Sequence, residues 1–384
     1  MRQVYFDNAA TSCPKPPTVI QAINEYFNTI GVSPGRGGYR LGLEAGRKLL
    51  AAREVIADFF NCLDPAKVVF TLNITYAINF VLRGVLKKGN HVVTSSLEHN
   101  SVARPLEALK KSGIIDYTAV KADGDGFINP DKIRKAIKTN TRLIVLNHAS
   151  NVFGALQPAE EIGRIAGEHG LLYLLDTAQT AGSMPIDMQR LNVNFLAFTG
   201  HKGLFGPPGI GGLCIDMDEE TILEPLILGG TGSKSHLLEQ PEAFPDRLES
   251  GTPNTPGIMG LTAGIEFIQR TGLEKIRQHE MDLLKHFIAG CNDLPEIEIY
   301  GARDLSRQTP CVSLNMKNMD GGQLSFILDH VYGIMTRSGL HCAPWAHETM
   351  GTFPEGAVRF SFGWFNTLEE INYTLTALKE IIND

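Results

Sequence analysis

Between His91 and Ile215, short apolar runs alternate with longer segments of helical periodicity, and this alternation constrains the fold more than any other feature of the chain. His91 to Ser95, Ile115 to Val120, Leu143 to His148, Leu171 to Asp176, Phe195 to Thr199 and Gly211 to Ile215 read as strands. Val102 to Lys111, Pro130 to Ile137 and Ala159 to His169 read as the helices between them. Strands of nearly continuous apolar character need cover on both faces, which implies an α/β unit built on a mainly parallel sheet. Such sheets bind ligands at the carboxyl ends of their strands. Four polar clusters fall there: Ser96 to His99, His148 to Asn151, Asp176 to Gln179 and Thr199 to Lys202.

Upstream, Tyr5 to Thr11 reads as a short strand running into a turn, and Pro14, Pro16 and Pro17 introduce a helix to about Phe27. The Gly/Pro-rich stretch from Gly31 to Gly42, with Arg36 and Arg40, reads as a linking loop. Ala45, Leu49, Ala52, Ile56, Phe59 and Phe60 recur at helical spacing over Glu44 to Phe60. Lys67 to Thr71 is a strand, and Asn73 to Asn79 a strand-to-helix turn. Backbone N–H groups at that helix start, with the Thr75 hydroxyl, suit a phosphate, although Thr75 as a simple N-cap explains the pattern as well.

Beyond Pro256 the pattern changes. Helices are expected over Ile258 to Arg270, Leu273 to Asn292, Gly321 to Val331 and Thr367 to Ile382. Between them lie short segments at Ile297 to Tyr300, Val312 to Met316 and Ile334 to Arg337, a loop from Ser338 to Pro344, and a strand from Val358 to Phe362. A smaller α+β domain accounts for this part, and 384 residues favour two domains.

Several function classes are disfavoured. A net charge of −7 without any Lys/Arg cluster offers no basis for binding nucleic acid or an anionic membrane. Met1 to Asn8 lacks the apolar core of a signal peptide, and no apolar run has transmembrane length. The six cysteines are scattered without a Cys-x-x-Cys pair, which suits a reducing cytoplasm. Asp123-Gly124-Asp125-Gly126 lacks the closing ligands of a calcium loop and reads as a turn. Gly209-Ile210-Gly211-Gly212 precedes a strand, which disfavours a dinucleotide fingerprint. His341, Cys342 and His347 lack zinc-ligand spacing, so no metal is expected.

The run Phe195 to Thr199 stops at Gly200-His201-Lys202-Gly203 and enters a Gly/Pro-rich turn. A lysine held there can project into a cleft, where a desolvated amine becomes a nucleophile toward a carbonyl; otherwise it is half of a surface His-Lys pair. Were a phosphate-bearing aldehyde such as pyridoxal 5′-phosphate joined to Lys202, its ring nitrogen would need an acidic partner, and Asp176 is well placed. The plainer alternative for Asp176 is a strand-end turn residue.

Thr199-Gly200-His201-Lys202-Gly203, Asp176-Thr177-Ala178-Gln179, Ser150-Asn151-Val152-Phe153-Gly154 and Arg247 to Asn254 stand in an order that resembles, almost end to end, the class V aminotransferase family. Within it, the chain is similar to cysteine desulfurases. The resemblance implies the fold type I, aspartate aminotransferase-like architecture of pyridoxal 5′-phosphate-dependent transferases. The large domain would span 14–262, and residues 1–13 and 263–384 the small one. It implies Lys202 as the Schiff-base lysine, Asp176 at the pyridinium nitrogen, Gln179 near the phenolic oxygen and His99 stacked on the ring. Thr75, Thr199 and His201 would bind the phosphate, and Thr252 would reach the phosphate of a neighbouring subunit, making a homodimer with shared sites. Arg359 matches the arginine that grips the substrate carboxylate, with Asn151 and Arg337 also at the substrate.

Arg337 to Pro344 resembles the short cysteine loop of the SufS-like group, with Cys342 as nucleophile beside His341. The implied reaction converts L-cysteine to L-alanine. Lys202 or His99 moves the α-proton, and the sulfur is left as a persulfide on Cys342 for a sulfur-acceptor protein. L-selenocysteine is the alternative substrate, and another class V lyase or transaminase the alternative reaction. A non-catalytic scaffold or sulfur-relay partner would need neither Lys202 nor Arg359. The chain departs from the family at Asn73-Ile74-Thr75, where Gly-Thr-Thr is usual, and at Leu340, where the short-loop group often has histidine.

Overall fold

The computed structural model describes residues 2–34, 38–217, 223–301 and 304–383. After a two-residue strand β1 (Val4–Tyr5), helices α1 (Pro17–Thr29) and α2 (Arg40–Phe60) lead into a seven-stranded sheet. Its members are β2 (Val68–Thr71), β3 (Asn90–Ser95), β4 (Ile115–Val120), β5 (Thr141–Asn147), β6 (Leu172–Asp176), β7 (Phe195–Thr199) and β8 (Gly211–Ile215). They lie in the order β2-β8-β7-β6-β5-β3-β4. The pairings from β7 through β4 are parallel, whereas β8 runs antiparallel to both β2 and β7.

Burial on both faces explains the continuous apolar runs. Along β5, Leu143 and Val145 face one core while Ile144 and Leu146 face the other; along β7, Phe195 and Ala197 part from Leu196 and Phe198 in the same way. Helices α3 (Ile74–Val85) and α4 (Asn100–Lys111) close one face. Helices α2, α5 (Pro130–Ala136), α6 (Ala159–Glu168) and α7 (Thr255–Thr271) close the other. Because β8 turns back, the connection carrying Lys202 stays at the carboxyl edge of the sheet. A Cβ on Gly212 would lie 2.3 Å from the Phe198 ring, so that glycine serves close packing and not a dinucleotide.

A third core is built from α8 (Leu273–Asn292), β9 (Ile297–Tyr300), β10 (Cys311–Met316), α9 (Gly321–Tyr332), β11 (Ile334–Met335), β13 (Ala357–Ser361) and α11 (Leu368–Asn383), whereas β12 (Arg337–Gly339) lies at the sheet edge and α10 (Pro344–Met350) packs Ala346 into the large-sheet core. The order β12-β13-β10-β9 is an antiparallel sheet, and β1 pairs in parallel with β11. Val4 and Phe6 thereby pack with Phe287, Phe360 and Leu378. Complete burial of Phe6 and Phe360 contributes about 1.5–3 kcal/mol each.

Some expectations need correction. Arg40, placed in a loop, is the first residue of α2, and Ser338 and Gly339 belong to a strand. The short strand running into a turn is as foreseen: β1 ends at Tyr5, and the Ala10 and Thr11 amides donate to the Asp7 carbonyl to turn the chain. Helix α10 was not foreseen. Arg36 lies outside the described residues. The Asp123 carboxylate accepts from the amides of Asp125 and Phe127 and closes a turn. Among the described residues no helix is long and apolar enough to cross a membrane.

Candidate active site

The polar clusters at the strand ends converge on one cleft of about 450 Å³ between the large sheet and the β12–β13 edge. It is lined by Thr75, His99, Asp176, Gln179, Thr199, His201 and Lys202, and across from them by Asn151, Arg337, Cys342 and Arg359. Thr252 is the one candidate that does not line it. That residue borders a second cavity with Arg53 and Glu249, and Tyr76 is shared by the two.

The Lys202 loop is held by its own backbone. The Gly200 N–H donates to the Ile210 carbonyl at 2.9 Å and that of Phe205 to the Lys202 carbonyl at 2.9 Å. From the other side the N-terminal segment fastens it. The Ser12 N–H, the Thr11 hydroxyl and the Lys15 ammonium all donate to the His201 carbonyl, at 3.0, 2.9 and 2.7 Å. The Ser12 hydroxyl donates to the Lys202 carbonyl at 2.9 Å. Desolvation brings the Lys202 amine down to about 8, opposed by the negative charge of Asp176. A substantial share of the amine is therefore neutral near pH 7.5, as a nucleophile requires.

Asp176 ends β6, buried, and its Oδ1 accepts from the Ala178 N–H at 2.9 Å. Burial raises its carboxyl, while that N–H and the Lys202 charge oppose the shift. The Gln179 amide donates to the Ala9 carbonyl at 3.1 Å. His99 caps α4: its Nδ1 accepts from the Ser101 N–H at 3.0 Å, and burial pushes the ring down to about 4. The neutral ring thus carries its proton on Nε2.

At the start of α3 the N-cap is Asn73, whose side chain accepts from the Tyr76 N–H at 3.3 Å; Thr75 is not the cap, and its side chain borders the cleft. Asn73 has φ −174°, extended backbone that needs no glycine. Thr199 Oγ1 is buried at the end of β7 with no hydrogen-bond partner among the described residues. A buried hydroxyl without a partner costs about 1–3 kcal/mol. With the open N–H groups of α3 and the Lys202 amine, it fits a phosphate-bearing aldehyde. Burial also keeps His201 down at about 4, hence neutral.

On the opposite wall, Arg359 lies in the middle of β13 and is 2% exposed. Its Nη1 donates to the Asn151 carbonyl at 3.0 Å and Nη2 to Asp7 Oδ1 at 2.6 Å, while Nε is buried without a partner among the described residues. Arg337 stands opposite it in the sheet register and is exposed. Cys342 is exposed at the cleft. His341, expected beside the thiol as an aid to it, also borders the cleft, but both its ring nitrogens are hydrogen-bonded, to Arg337 and His347. Sequence reasoning gave no role to Asp7 or Asn147, took Glu98 only as a member of the Ser96 to His99 cluster, and weighed His347 only as a zinc ligand. The Asp-Asn-Ala-Ala-Thr turn was the only local sign of Asp7.

The aminotransferase class-V family profile matches residues 4–374. A probable cysteine desulfurase of Methanothermobacter thermautotrophicus is 40% identical, over 98% of this chain and 94% of that protein. A probable cysteine desulfurase of Pyrococcus abyssi is 36% identical, over 99% and 94%. The apo cysteine desulfurase of Thermococcus onnurineus NA1 superposes with a TM-score of 0.93 at 35% identity, covering 99% of this chain and 95% of that one. A NifS-like protein gives a TM-score of 0.87 at 28% identity, covering 100% of each chain. The architecture is fold type I, with its mainly parallel central sheet. On the extent of these matches, the chain belongs to the aminotransferase class-V family.

Proposed function

We propose that the chain is a pyridoxal 5′-phosphate-dependent cysteine desulfurase, converting L-cysteine to L-alanine and holding the sulfur as a persulfide on Cys342. The observation that carries this reading is that one cleft is lined at once by Lys202, Arg359 and Cys342. An amine nucleophile, a carboxylate anchor and a thiol together match an amino acid whose side chain bears the atom to be removed.

Lys202 would hold the cofactor, with Asp176 and Gln179 at its ring, His99 over its face and Thr75, Thr199 and His201 at its phosphate. Bound there, pyridoxal 5′-phosphate supplies an electron sink for the substrate α-carbon. Arg359 binds the substrate carboxylate through its guanidinium, with Asn151 and Arg337 beside it. The neutral Lys202 amine, or His99, moves the α-proton. The Cys342 thiolate attacks the substrate sulfur; an S–S bond forms as the C–S bond breaks, and the carbon product leaves as alanine.

Thr252 lies outside its own cleft, across Tyr76, which supports a homodimer in which it serves the partner's phosphate site. We further assign the large domain to the chain from residue 14 to the end of α7, past the expected boundary at 262 because Ile265 and Ile268 of that helix pack in the large-sheet core, and residues 1–13 with the remainder of the chain to the small one. The sulfur passes to an acceptor protein in a reducing cytoplasm.

The test compares wild type with Cys342→Ala, both supplied with pyridoxal 5′-phosphate, for alanine formed from L-cysteine and from L-selenocysteine. Borohydride trapping at Lys202 and loss of alanine from L-cysteine in Cys342→Ala are expected. No adduct at Lys202, or equal rates in both proteins, would overturn the reading. A wild type active on L-selenocysteine alone would move the assignment to a selenocysteine lyase.

A further inference from the structure

His341 and Cys342 occupy consecutive left-handed backbone conformations, with φ of +49° and +57°. Neither is glycine, so each costs about 1–2 kcal/mol, and such a pair persists only where its neighbours hold it. Two holds grip its main-chain carbonyls. Asn151 Nδ2 donates to the His341 carbonyl at 2.8 Å, and the Asn100 N–H at the start of α4 donates to the Cys342 carbonyl at 2.7 Å.

The third hold is a file of two imidazoles. His341 Nε2 lies 2.9 Å from the Arg337 carbonyl, which can only accept, so Nε2 carries the proton. Burial pushes His341 down to about 3 and His347 to about 4, so both rings are neutral. His341 Nδ1 is then an acceptor, and it meets His347 Nε2 at 3.2 Å, which must donate. His347 Nδ1 accepts in turn from the Thr352 hydroxyl at 2.7 Å. One carbonyl therefore fixes both tautomers. The rings stack with centroids 5.3 Å apart, and fully buried His347 packs against Phe153.

We propose that His347 is a positioning residue that acts through His341 to keep Cys342 in the left-handed backbone presenting its thiol to the cleft. The inference rests on the desulfurase reading above. It assigns the histidine pair to holding the loop, and leaves the thiol without a histidine base from that side.

The experiment uses the holoenzyme as wild type, Cys342→Ala, His347→Leu, His347→Gln and Thr352→Val. Alanine formation from L-cysteine is measured beside the rate of Cys342 alkylation by iodoacetamide, mapped by peptide mass. Displacement of a reacting group by about 1 Å costs about a hundredfold, so His347→Leu should lose about that much in kcat. Its KM for L-cysteine should stay within about threefold, since neither histidine is hydrogen-bonded to Arg359 or Lys202. His347→Gln keeps a donor toward His341 Nδ1 and should recover most of the loss. Thr352→Val removes only the far donor and should lose about tenfold; it decides the matter if His347→Leu does not fold.

A folded His347→Leu or Thr352→Val within about twofold of wild type in kcat, or a glutamine variant no better than leucine, overturns the proposal. If wild type and Cys342→Ala make alanine equally, the desulfurase reading fails instead. The alkylation rates then decide: a rate changed in His347→Leu and restored in His347→Gln upholds the positioning role, and equal rates sink it.

Discussion

Arg359 Nη2 lies 2.6 Å from Asp7 Oδ1, so the guanidinium assigned to the substrate carboxylate already has an anionic partner supplied from the other end of the chain. Asp7 orients the fork and also competes for it. Asp7→Asn keeps an acceptor and removes the charge, so the KM for L-cysteine should fall by about threefold or more, read by steady-state kinetics. Asp7→Ala leaves Arg359 buried and unpaired, and urea denaturation should show a loss of about 3 kcal/mol.

The Lys202 amine titrates near 8 in the folded protein against an ordinary value of 10.5. Only its neutral form attacks an aldehyde. Capture of pyridoxal 5′-phosphate by the apoprotein, trapped with borohydride, should rise about tenfold per pH unit up to about pH 8 and then level off. Between pH 8 and 10.5 the unfolded chain still binds the proton that the folded chain has released, so Lys202 makes the apoprotein more stable as pH rises through that window. Lys202→Ala should abolish the capture and flatten this part of the stability curve.

Glu98 precedes His99 and is fully buried. Its Oε1 accepts from the Ser95 hydroxyl at 2.6 Å and the Asn147 N–H at 3.1 Å, while Oε2 has no partner among the described residues. Burial raises the carboxyl from 4.5 to about 8. The unfolded chain releases this proton first, so stability falls as pH climbs from 4.5 to 8. Glu98→Gln should gain on wild type between pH 5 and pH 8 by on the order of a few kcal/mol, read from urea midpoints at the two pH values.

Arg53 and Glu249 form a bidentate pair, with Nη1 to Oε1 at 2.8 Å and Nη2 to Oε2 at 2.6 Å. Glu249 also accepts from the Phe70 N–H at 2.6 Å, which ties the segment bearing Thr252 to β2. Glu249→Ala strands a buried guanidinium and should cost about 3–5 kcal/mol in chemical denaturation.

The central sheet was legible because burial on both faces leaves an unbroken apolar run, and the strand-end clusters followed from it. The direction of β8 was not: Gly-Gly-Leu-Cys-Ile carries the same pattern either way, and the reversal goes with a connection from β7 that holds no crossover helix. Helix α10 was hidden because Pro344, at its first position, looks the same as a loop proline. Lys202 and Asp176 could be found since one closely follows a strand and the other ends one. Asp7 could not be linked to Arg359, nor His347 to His341, because such pairs are made by the fold and leave no local spacing. Thr75 was offered two roles; Asn73 takes the cap and so leaves the Thr75 side chain at the cleft wall.

The segment from Asp7 to Lys15 touches Arg359 and Ser361 on one side and the carbonyls of His201 and Lys202 on the other. A ribosome making this protein therefore emits the earliest part of the reactive centre hundreds of residues before the latest. Until β13 emerges, the opening residues wait without their mates, and the nascent polypeptide cannot close its own catalytic chamber.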